Sequence, residues 1–473
     1  MGSRDGSGLR VFFRLVVFLR MEKCFRISFL LPFLLGGCGN GGSSNDIVAP
    51  NIQDVPTFSW SFSLPEEEGM DPDKLEEVLQ YVFDDDFNTQ GLMVVRNGKI
   101  VVEKYQGISD STISGLLSVF SDENLLSWGT GLSYDDFQNI FGDKDKDSLA
   151  TSWSSAKSIT SSLIGIAIEQ GFIDSVNEYA SSYLPDWIGT DKENSITIKN
   201  ILEMRSSLKC PPGGNGGSSI YFQEDQLTPS KDRDFNPDIS EANPPYFNNW
   251  VYCNADTMLL GEILQNATGK SVQEFGDYYL FSKVGMSVDW WKDGQGNYLA
   301  YCCIDMTTRD FARFGLLWRN EGFWDGEKII SSEWITESLS SGINIDWSDT
   351  TFYNYQWYTH NKFTDDDDSI EVYGFGAKGY NTNNIWIIPS YDLIIVRNSL
   401  YHRHIKVGTE AVRTGNINDW VDENDRDKAN YHLTLYPGNL ALIGGQVYLF
   451  DNSNVHLFNS EAMVKALIES ITN

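Results

Sequence analysis

The sequence feature that most constrains the fold is a long apolar helix in the first half of the chain. Residues 154–171 read SSAKSITSSLIGIAIEQG, and their small and aliphatic side chains occur at every angle around a helix. Gly171 supplies a residue type that commonly ends helices. A helix that is apolar on all sides is buried in the core of a large protein. The pattern therefore predicts a buried helix over this range.

Strand patterns occur towards both ends of the chain. LMVV and IVVEKY are joined by a turn whose Asn97-Gly98 pair is typical of a β-hairpin. NIWIIP and DLIIVRNS flank a second turn at 389–392. The stretch from 171 to about 345 reads mostly as helix and loop. This order indicates one sheet built from the two chain ends, with helices between them.

Two further helices are predicted outside these strands. Asp71-Pro72 is typical of a helix start, and apolar residues follow it at helical spacing. The last residues of the chain also form an apolar face, made by Met463, Val464, Leu467, Ile468 and Ile471. Residues 107–149 and 409–455 lack a clear period, so we expect irregular excursions there.

The N-terminus has the pattern of an export signal. From Met21, basic residues precede the apolar run 27–35, which is followed by Gly-Gly-Cys. We interpret residues 1–37 as a signal peptide with a misplaced start codon, the true start being Met21. Leu35 to Cys38 resembles a bacterial lipobox, which implies cleavage before Cys38 and lipidation of its sulfur. The alternative is an ordinary secretory signal with an incidental cysteine.

The remaining chain divides into a tether and one domain. Residues 38–56 are rich in Gly, Ser and Asn, as in flexible linkers, and we expect a folded domain over 57–473. The apolar run in the signal is too short to span a bilayer. These features predict a protein of the bacterial cell envelope that faces the periplasm or the exterior and contacts the membrane only through its lipid anchor.

Composition excludes some classes of function. With 41% hydrophobic and 21% charged residues, the chain is not disordered. Its 35 Lys and Arg against 66 Asp and Glu give a net charge of −31, which repels a phosphate backbone. Nucleic acid is therefore not an expected partner.

Four cysteines remain after the signal and the anchor are set aside: Cys210, Cys253, Cys302 and Cys303. A chain of this size does not need disulfides, and adjacent cysteines rarely bond each other. We expect buried free thiols.

Several motifs for other chemistry fail. Residues 374–379 fit G-x-G-x-x-G, but a strand pattern follows where a dinucleotide site needs a helix. The acidic run that begins at Asp143 mimics a calcium loop, yet Ser148 replaces the required glycine. No G-x-S-x-G occurs, and the five histidines include no pair at metal-ligand spacing. We expect neither a metal nor an organic cofactor.

One motif with catalytic chemistry opens the apolar helix. A spacing of three residues places Ser154 and Lys157 on one face. Burial disfavours the charged lysine, so its neutral amine can take the serine proton. The helix N-terminus also directs N–H groups at developing negative charge. A helix start with a surface lysine is the alternative, because S-x-x-K recurs by chance.

A second motif, Tyr252-x-Asn254, precedes another apolar helical stretch. Together, these motifs resemble those of the serine hydrolases that include class C β-lactamases, D,D-peptidases and related esterases, especially the branch of 6-aminohexanoate-dimer hydrolases. The resemblance extends over about 57–405 and the last helix. Two positions depart from it. The third motif, usually K-T-G or a His-Gly equivalent, is Lys378-Gly379 here, and Ser207 stands where the family usually has glycine.

The resemblance implies an α+β fold in which an antiparallel sheet is flanked by the N- and C-terminal helices and carries an inserted helical lobe. It also implies roles at the site. Ser154 would attack a carbonyl, Lys157 would act as the base, and Tyr252 would relay a proton, with Asn254 as its orienting partner. The Ser154 N–H and an N–H after Lys378 would hold the oxyanion.

The substrate is less constrained than the mechanism, because this fold hosts several reactions. We expect a small ester or amide, with a β-lactam or a D,D-peptide as the alternative within the family. A non-catalytic lipoprotein that binds peptidoglycan fragments or a protein is a second alternative, and a calcium-stabilised surface protein is a third. Aromatic residues near the motifs could line an apolar pocket or belong to the core: Trp153, Tyr246, Phe247, Trp250, Tyr373 and Tyr380.

The lipobox pattern predicts the effect of one substitution. Cys38→Ser should release the protein from the membrane fraction, because the lipid is the only membrane signal that we identify in the sequence. Fractionation followed by immunoblotting measures this. Unchanged membrane association of the variant would contradict the anchor.

Overall fold

The computed structural model describes residues 58–114, 134–212, 216, 220, 223, 225–237, 250–340, 342–345, 350–365, 368–404, 406–407, 420–421, 431–437, 441–443, 446–451 and 458–472. Side chains are described in these ranges except for 136, 137, 139, 140 and 401–451. The predicted signal peptide, Cys38 and the tether lie outside the described residues.

The α-helices are α1 (Pro72–Val82), α2 (Tyr134–Phe141), α3 (Ala156–Glu169), α4 (Ile198–Leu202), α5 (Leu227–Lys231), α6 (Asn254–Thr268), α7 (Val272–Gly276), α8 (Ser282–Val284), α9 (Thr308–Arg319), α10 (Ser332–Leu339) and α11 (Ser460–Glu469). Short 3₁₀ turns span Pro65–Glu68, Asp85–Phe87, Trp153–Ser155, Ala180–Ser182, Pro185–Trp187, Tyr380–Thr382 and Pro389–Tyr391, and a π-helical turn spans Asp277–Phe281.

The strands are β1 (Ser61–Phe62), β2 (Thr89–Arg96), β3 (Lys99–Tyr105), β4 (Leu149–Thr151), β5 (Asp289–Trp290), β6 (Ile304–Thr307), β7 (Phe323–Trp324), β8 (Glu327–Lys328), β9 (Ile343–Asn344), β10 (Thr351–Asn354), β11 (Trp357–His360), β12 (Phe363–Thr364), β13 (Ser369–Ile370), β14 (Gly374–Ala377), β15 (Asn384–Ile388), β16 (Leu393–Ser399), β17 (Tyr401–His404), β18 (Lys406–Val407), β19 (Trp420–Val421), β20 (Tyr431–Pro437), β21 (Ala441–Ile443) and β22 (Gln446–Asp451).

The main sheet is built from the two ends of the chain, as predicted. Within the described residues its order is β1-β3-β2-β16-β15-β14-β11-β10-β9. Neighbouring strands are antiparallel except β1, which runs parallel to β3. Strand β2 of the hairpin β2–β3 pairs with β16, which lies almost three hundred residues later in the chain. The prediction of an α+β fold is confirmed.

Both faces of this sheet are buried, because alternate side chains of a strand point to opposite sides. On β16, Leu393 and Ile395 belong to one hydrophobic cluster, shared with α1 and α11, while Ile394 and Val396 belong to another, shared with α3 and α9. Because both faces are buried, strand β15 has an almost continuous apolar run, NIWII. The predicted terminal helices thus cover one face, and the apolar helix lies on the other.

The two terminal helices begin at capped ends and meet each other. Asp71 accepts a hydrogen bond from the Asp73 N–H at 2.9 Å, which satisfies the first turn of α1. Asn459 caps α11 in the same way, and its own N–H donates to the Tyr81 hydroxyl at 2.9 Å. These contacts join α1 and α11, which together cover one face of the sheet.

Helix α3 is buried along most of its length. Every residue from Ala156 to Ala167 is buried. Gly165 allows Trp334 of α10 to approach the helix, since a Cβ there would lie 2.4 Å from an atom of the indole ring. The prediction of a buried apolar helix is confirmed.

Parts of the two predicted excursions are regular. The stretch 107–149 contains α2 and the first residue of β4, and the stretch 409–455 contains strands, of which β20 and β22 pair in parallel. The prediction of irregular chain is wrong at these elements. They span two to eight residues each, and so short a run gives little periodicity to detect.

The prediction of free thiols is also wrong. Cys210 is bonded to Cys253, with Cα atoms 5.8 Å apart, and Cys302 is bonded to its neighbour Cys303. The first pair is separated by 43 residues in sequence, and only the folded chain brings it into range.

The long-range disulfide predicts a loss of stability in Cys210→Ser. Opening a loop of this length typically lowers the free energy of unfolding by about 2–4 kcal/mol. Denaturant unfolding of the oxidised wild type and the variant measures the difference. Equal stabilities, together with four thiols titrated in the unfolded mature wild type, would show that these cysteines are reduced.

Candidate active site

Ser154 lies in a helical turn that joins strand β4 to helix α3. Ser152, just before it, is held by strand β6. Its N–H donates to the Ile304 carbonyl at 2.8 Å, and its Oγ accepts from the Ile304 N–H at 2.9 Å. Trp153 has φ +46°, a left-handed conformation that is uncommon for a bulky residue. Ser154 is half-buried, while Trp153 and Ser155 on either side of it are buried.

Lys157 lies one turn further along α3 and is only 2% exposed. Its Nζ is hydrogen-bonded to Ser154 Oγ at 2.9 Å, to Asn254 Oδ1 at 2.8 Å and to the Tyr301 carbonyl at 2.9 Å. The structure therefore brings together three of the predicted site residues, and it adds a backbone carbonyl that the sequence motifs do not include.

The three partners of Lys157 determine what its neutral amine can do. Burial lowers the pKa of Lys157 well below its ordinary value of 10.5. Asn254 Oδ1 and the Tyr301 carbonyl can only accept hydrogen bonds, so they use both N–H groups of the neutral amine. The nitrogen lone pair then faces Ser154 Oγ. This arrangement suits a base that removes the proton of the serine hydroxyl.

Tyr252 reaches the same pair from the segment before α6. Lys157 Nζ lies 4.9 Å from the centroid of its ring. Burial raises the pKa of Tyr252 to about 12, and the side chains of Ser154 and Tyr358 oppose part of the rise. Tyr252 is therefore a neutral phenol at neutral pH and has a proton to give.

The segment that carries Tyr252 and Asn254 is fixed by a buried ion pair in the first turn of α6. Arg233 Nη2 donates to Asp256 Oδ1 at 2.7 Å, and both side chains are at most 4% exposed. Ser206 Oγ donates to the same carboxylate oxygen at 2.9 Å. These bonds tie the loop before α6 to the helix whose first residue is Asn254.

The carbonyl of Tyr301 is held by contacts on both sides of the peptide. Thr160 of α3 donates to the Ala300 carbonyl at 2.6 Å, and the Tyr301 hydroxyl donates to Gln226 Oε1 at 2.6 Å. The bonded Cys302 and Cys303 follow directly, both buried. A sequence motif cannot reveal a carbonyl ligand, because every residue has a carbonyl.

Gly379 brings the turn after β14 against the turn that carries Ser154. A Cβ at this position would lie 2.3 Å from the Ser152 carbonyl oxygen, so only glycine fits. Ser155 Oγ donates to the Asn383 carbonyl at 2.6 Å across the same contact. The Gly379 N–H donates to the Asn383 carbonyl and to Asn384 Oδ1, each at 3.0 Å. Both of its hydrogen bonds therefore stay within the turn after β14.

Lys378 lies over two aromatic rings of the main sheet and near a carboxylate of the last helix. Its Nζ is 5.1 Å from the Tyr358 ring centroid, 4.7 Å from the Trp386 ring centroid and 3.7 Å from Glu461 Oε1 of α11. The cation predicted from the third motif therefore has contacts to the sheet and to the last helix.

Some of the predicted aromatic residues border this site. The rings of Trp153 and Tyr380 are 5.5 Å apart, and those of Trp250 and Tyr252 are 6.1 Å apart. Tyr373 is 42% exposed. Tyr246 and Phe247 lie outside the described residues.

Neither a metal cluster nor a membrane span is found in the part of the chain that the structure describes. No group of three or more His, Cys, Asp or Glu side chains there is arranged to hold a metal ion. No helix there is long and apolar enough to cross a membrane.

Comparison with known proteins decides the family. The family model of the beta-lactamases matches residues 80–402, which is more than half of the chain. The chain belongs to the beta-lactamase family. Its sheet with an inserted helical region is the fold of that family.

Two similar proteins, one found by sequence and one by structure, carry the same enzyme name. The 6-aminohexanoate-dimer hydrolase of Paenarthrobacter ureafaciens is 24% identical over 266 residues, which cover 51% of this chain and 64% of that protein. A solved structure from Bacillus anthracis, provisionally named as a 6-aminohexanoate-dimer hydrolase, is 21% identical with a TM-score of 0.52. The latter match covers 72% of this chain and 82% of that one, and it shows the fold.

One departure from the family pattern has a structural counterpart. Ser207, at the position where the motif usually has glycine, has φ +58°. This left-handed conformation is the one that glycine adopts at least cost. Ser207 thus adopts a backbone conformation that would be less strained with glycine.

The geometry of Lys157 predicts the effect of a substitution that keeps its positive charge. A guanidinium stays protonated in proteins, so Lys157→Arg should lower kcat/KM by roughly 100-fold or more, the usual contribution of a general base. Lys104→Arg, at an exposed site on β3, is the matched control. Activity assays beside thermal melts of both variants test this. Near wild-type activity of folded Lys157→Arg would mean that another group deprotonates Ser154.

Proposed function

We propose that the protein is an exported hydrolase that cleaves small esters or amides through an acyl-enzyme on Ser154. The observation that carries this proposal is the hydrogen bonding of Lys157, whose two acceptor-only partners leave its lone pair to Ser154 Oγ. A buried lysine with this arrangement has no evident structural purpose, because burying its charge is costly.

Acylation begins when Ser154 Oγ attacks the substrate carbonyl carbon and Lys157 Nζ takes the hydroxyl proton. The Oγ–carbon bond forms as the carbonyl oxygen becomes an oxyanion. We assign the Ser154 N–H, at the start of the helical turn, as one donor to that oxyanion. The Gly379 N–H is engaged within its own turn, so the second donor predicted after Lys378 is not this group.

The leaving group departs with a proton from Tyr252. The phenol gives its proton to the leaving nitrogen or oxygen, and the bond from that atom to the carbonyl carbon breaks. The proton held by the Lys157 ammonium then restores Tyr252. Water attacks the acyl-enzyme, with the same groups exchanging protons, and frees Ser154.

For the substrate, we favour a small linear ester or amide over a β-lactam. The relative from Paenarthrobacter ureafaciens is named for the 6-aminohexanoate dimer, whose two units are joined by a linear amide. A panel of activated esters, linear amides, a chromogenic β-lactam and a D-Ala-D-Ala peptide tests the choice. Preferential turnover of the β-lactam or the peptide would move the protein to the other branches of its family.

We further propose that the enzyme works at the cell envelope, anchored through lipid on Cys38. The support is the signal and lipobox pattern of residues 21–38. A surface enzyme of this kind would meet small substrates outside the cytoplasm.

The proposed nucleophile predicts the outcome of covalent labelling. A fluorophosphonate probe should label the wild type, and Ser154→Ala should lose both labelling and ester turnover with its melting temperature kept, because only Oγ forms the covalent bond. Ser148→Ala, at a half-buried serine in the loop before β4, is the control and should label normally. Gel fluorescence and mass spectrometry of the labelled peptide measure this.

The opposite result would support a different class of protein. If the folded wild type neither takes up the probe nor hydrolyses any substrate of the panel, the protein is better explained as a lipoprotein that binds peptidoglycan fragments or a protein. Labelling that persists in Ser154→Ala would place the nucleophile elsewhere.

A further inference from the structure

Each of the two oxygen atoms that accept a hydrogen bond from Lys157 belongs to a residue directly beside a disulfide cysteine. Asn254 follows Cys253, and its Oδ1 is 2.8 Å from Lys157 Nζ. Tyr301 precedes Cys302, and its carbonyl oxygen is 2.9 Å from the same nitrogen. Both disulfides in the described part of the chain therefore adjoin a hydrogen-bond partner of the proposed base.

The first disulfide, between Cys210 and Cys253, connects the start of α6 to a fixed part of the preceding loop. Cys253 is buried, and Cys210 is half-buried. The chain just before Cys210 is itself held, because the Lys209 N–H donates to the Asp234 carbonyl at 2.8 Å. The cross-link thus restrains the residue next to Asn254 from a point outside the site.

The second disulfide, between Cys302 and Cys303, closes the turn that presents the Tyr301 carbonyl. A bond between neighbouring residues closes a small ring, and this ring begins at the Cα of Cys302, where the peptide group with the Tyr301 carbonyl ends. Cys303 has φ +67°, a left-handed conformation that is uncommon outside glycine. Its carbonyl accepts from the Trp291 N–H at 3.0 Å. The ring therefore limits how the Tyr301 carbonyl can turn.

We propose that both disulfides are positioning elements for the base. The first disulfide holds the Asn254 amide and the second holds the Tyr301 carbonyl, so Lys157 is placed to deprotonate Ser154 only when both bonds are formed. This inference rests on the proposed function and deepens it by adding a means of regulation. The cysteines themselves take no part in the reaction with substrate.

The oxidation state of the cysteines then controls the site. Each disulfide forms when a disulfide-bonded oxidant takes up two electrons and two protons from a pair of thiols and is itself reduced to a dithiol. Disulfides persist outside the cytoplasm, whereas cytoplasmic thiols are kept reduced. With the envelope location that we propose, the hydrolase is inactive before export and becomes active after it.

The test compares Cys210→Ser and Cys303→Ser with the wild type. Each substitution opens one disulfide at the cysteine that is not adjacent to a partner of Lys157, so the chain beside both partners keeps its sequence. Each variant thus represents the reduced state of one pair. The second-order rate constant of fluorophosphonate labelling should fall about 10-fold or more in each, because a misplacement of 1 Å can cost a reaction about 100-fold.

Leu467→Ala is the control for lost stability. Leu467 is buried in α11, in the hydrophobic cluster on the opposite face of the sheet from α3. Its truncation leaves a cavity and should lower the melting temperature, as the loss of a disulfide does. At a temperature where thermal melts show every variant to be folded, Leu467→Ala should label within about twofold of the wild-type rate.

The pH dependence of labelling separates positioning from a general loosening of the fold. Burial keeps the pKa of Lys157 low, so a displaced partner that admits water should raise that pKa. The midpoint of the rate profile should then move to higher pH in both cysteine variants. A variant that is only less stable keeps the wild-type midpoint, because its folded molecules have an unchanged site.

Each outcome bears on one proposal. A wild-type rate constant in a folded cysteine variant would overturn the positioning role of the disulfide that it lacks. The role would also be overturned by a lower rate with an unchanged midpoint, by an equal loss in Leu467→Ala, or by a cysteine variant that does not fold, since stability would then explain the effect. Four free thiols in the wild type would have the same consequence. In all these cases Ser154-dependent labelling of the wild type would keep the proposed function, whereas its absence would overturn the proposed function and this inference together.

Discussion

The chemistry that we propose for this protein depends on one buried lysine amine and on the three groups that hydrogen-bond it. Lys157 Nζ is held by Ser154 Oγ and by two oxygen atoms that only accept hydrogen bonds, from Asn254 and Tyr301. Each of these partners comes from a different part of the chain. A shift of one of them would free an N–H or admit water, and the amine would then hold its proton instead of taking that of the serine. The burial of α3 against the sheet is therefore a requirement of the site as well as of the core.

The surrounding structure fixes these partners through short, buried contacts. Gly379 allows the turn after β14 to press on Ser152, and Arg397 of β16 holds the same turn by donating to the Asn381 carbonyl at 2.8 Å. Arg397 itself is fully buried, and burial lowers its pKa to about 9. Its guanidinium also donates to the Phe87 carbonyl at 2.7 Å, ahead of β2. The main sheet thus positions the turn after β14, which joins two of its strands, whereas the turn that carries Ser154 follows β4 of the three-stranded sheet β4-β6-β5.

The sequence predicts the parts of this arrangement that depend on local spacing. Ser154 and Lys157 are three residues apart in sequence, and this spacing places them on one face of a helical turn. Strands β15 and β16 are buried on both faces, so their sequences contain continuous apolar runs. The Tyr301 carbonyl and the pairing of Cys210 with Cys253 depend on positions that only the folded chain brings together.

The central claim is that Ser154 is activated by a neutral amine, and the pH dependence of its acylation tests this most directly. Fluorophosphonate labelling has a leaving group that needs no proton, so its second-order rate constant reports activation of the nucleophile alone. Because burial lowers the pKa of Lys157, the amine is neutral above that depressed value. The rate constant should therefore rise with pH and reach a plateau well below 10.5, the ordinary lysine value. A rate that climbs without a plateau until pH 10.5 would show a lysine that keeps its proton at neutral pH, and would contradict the account.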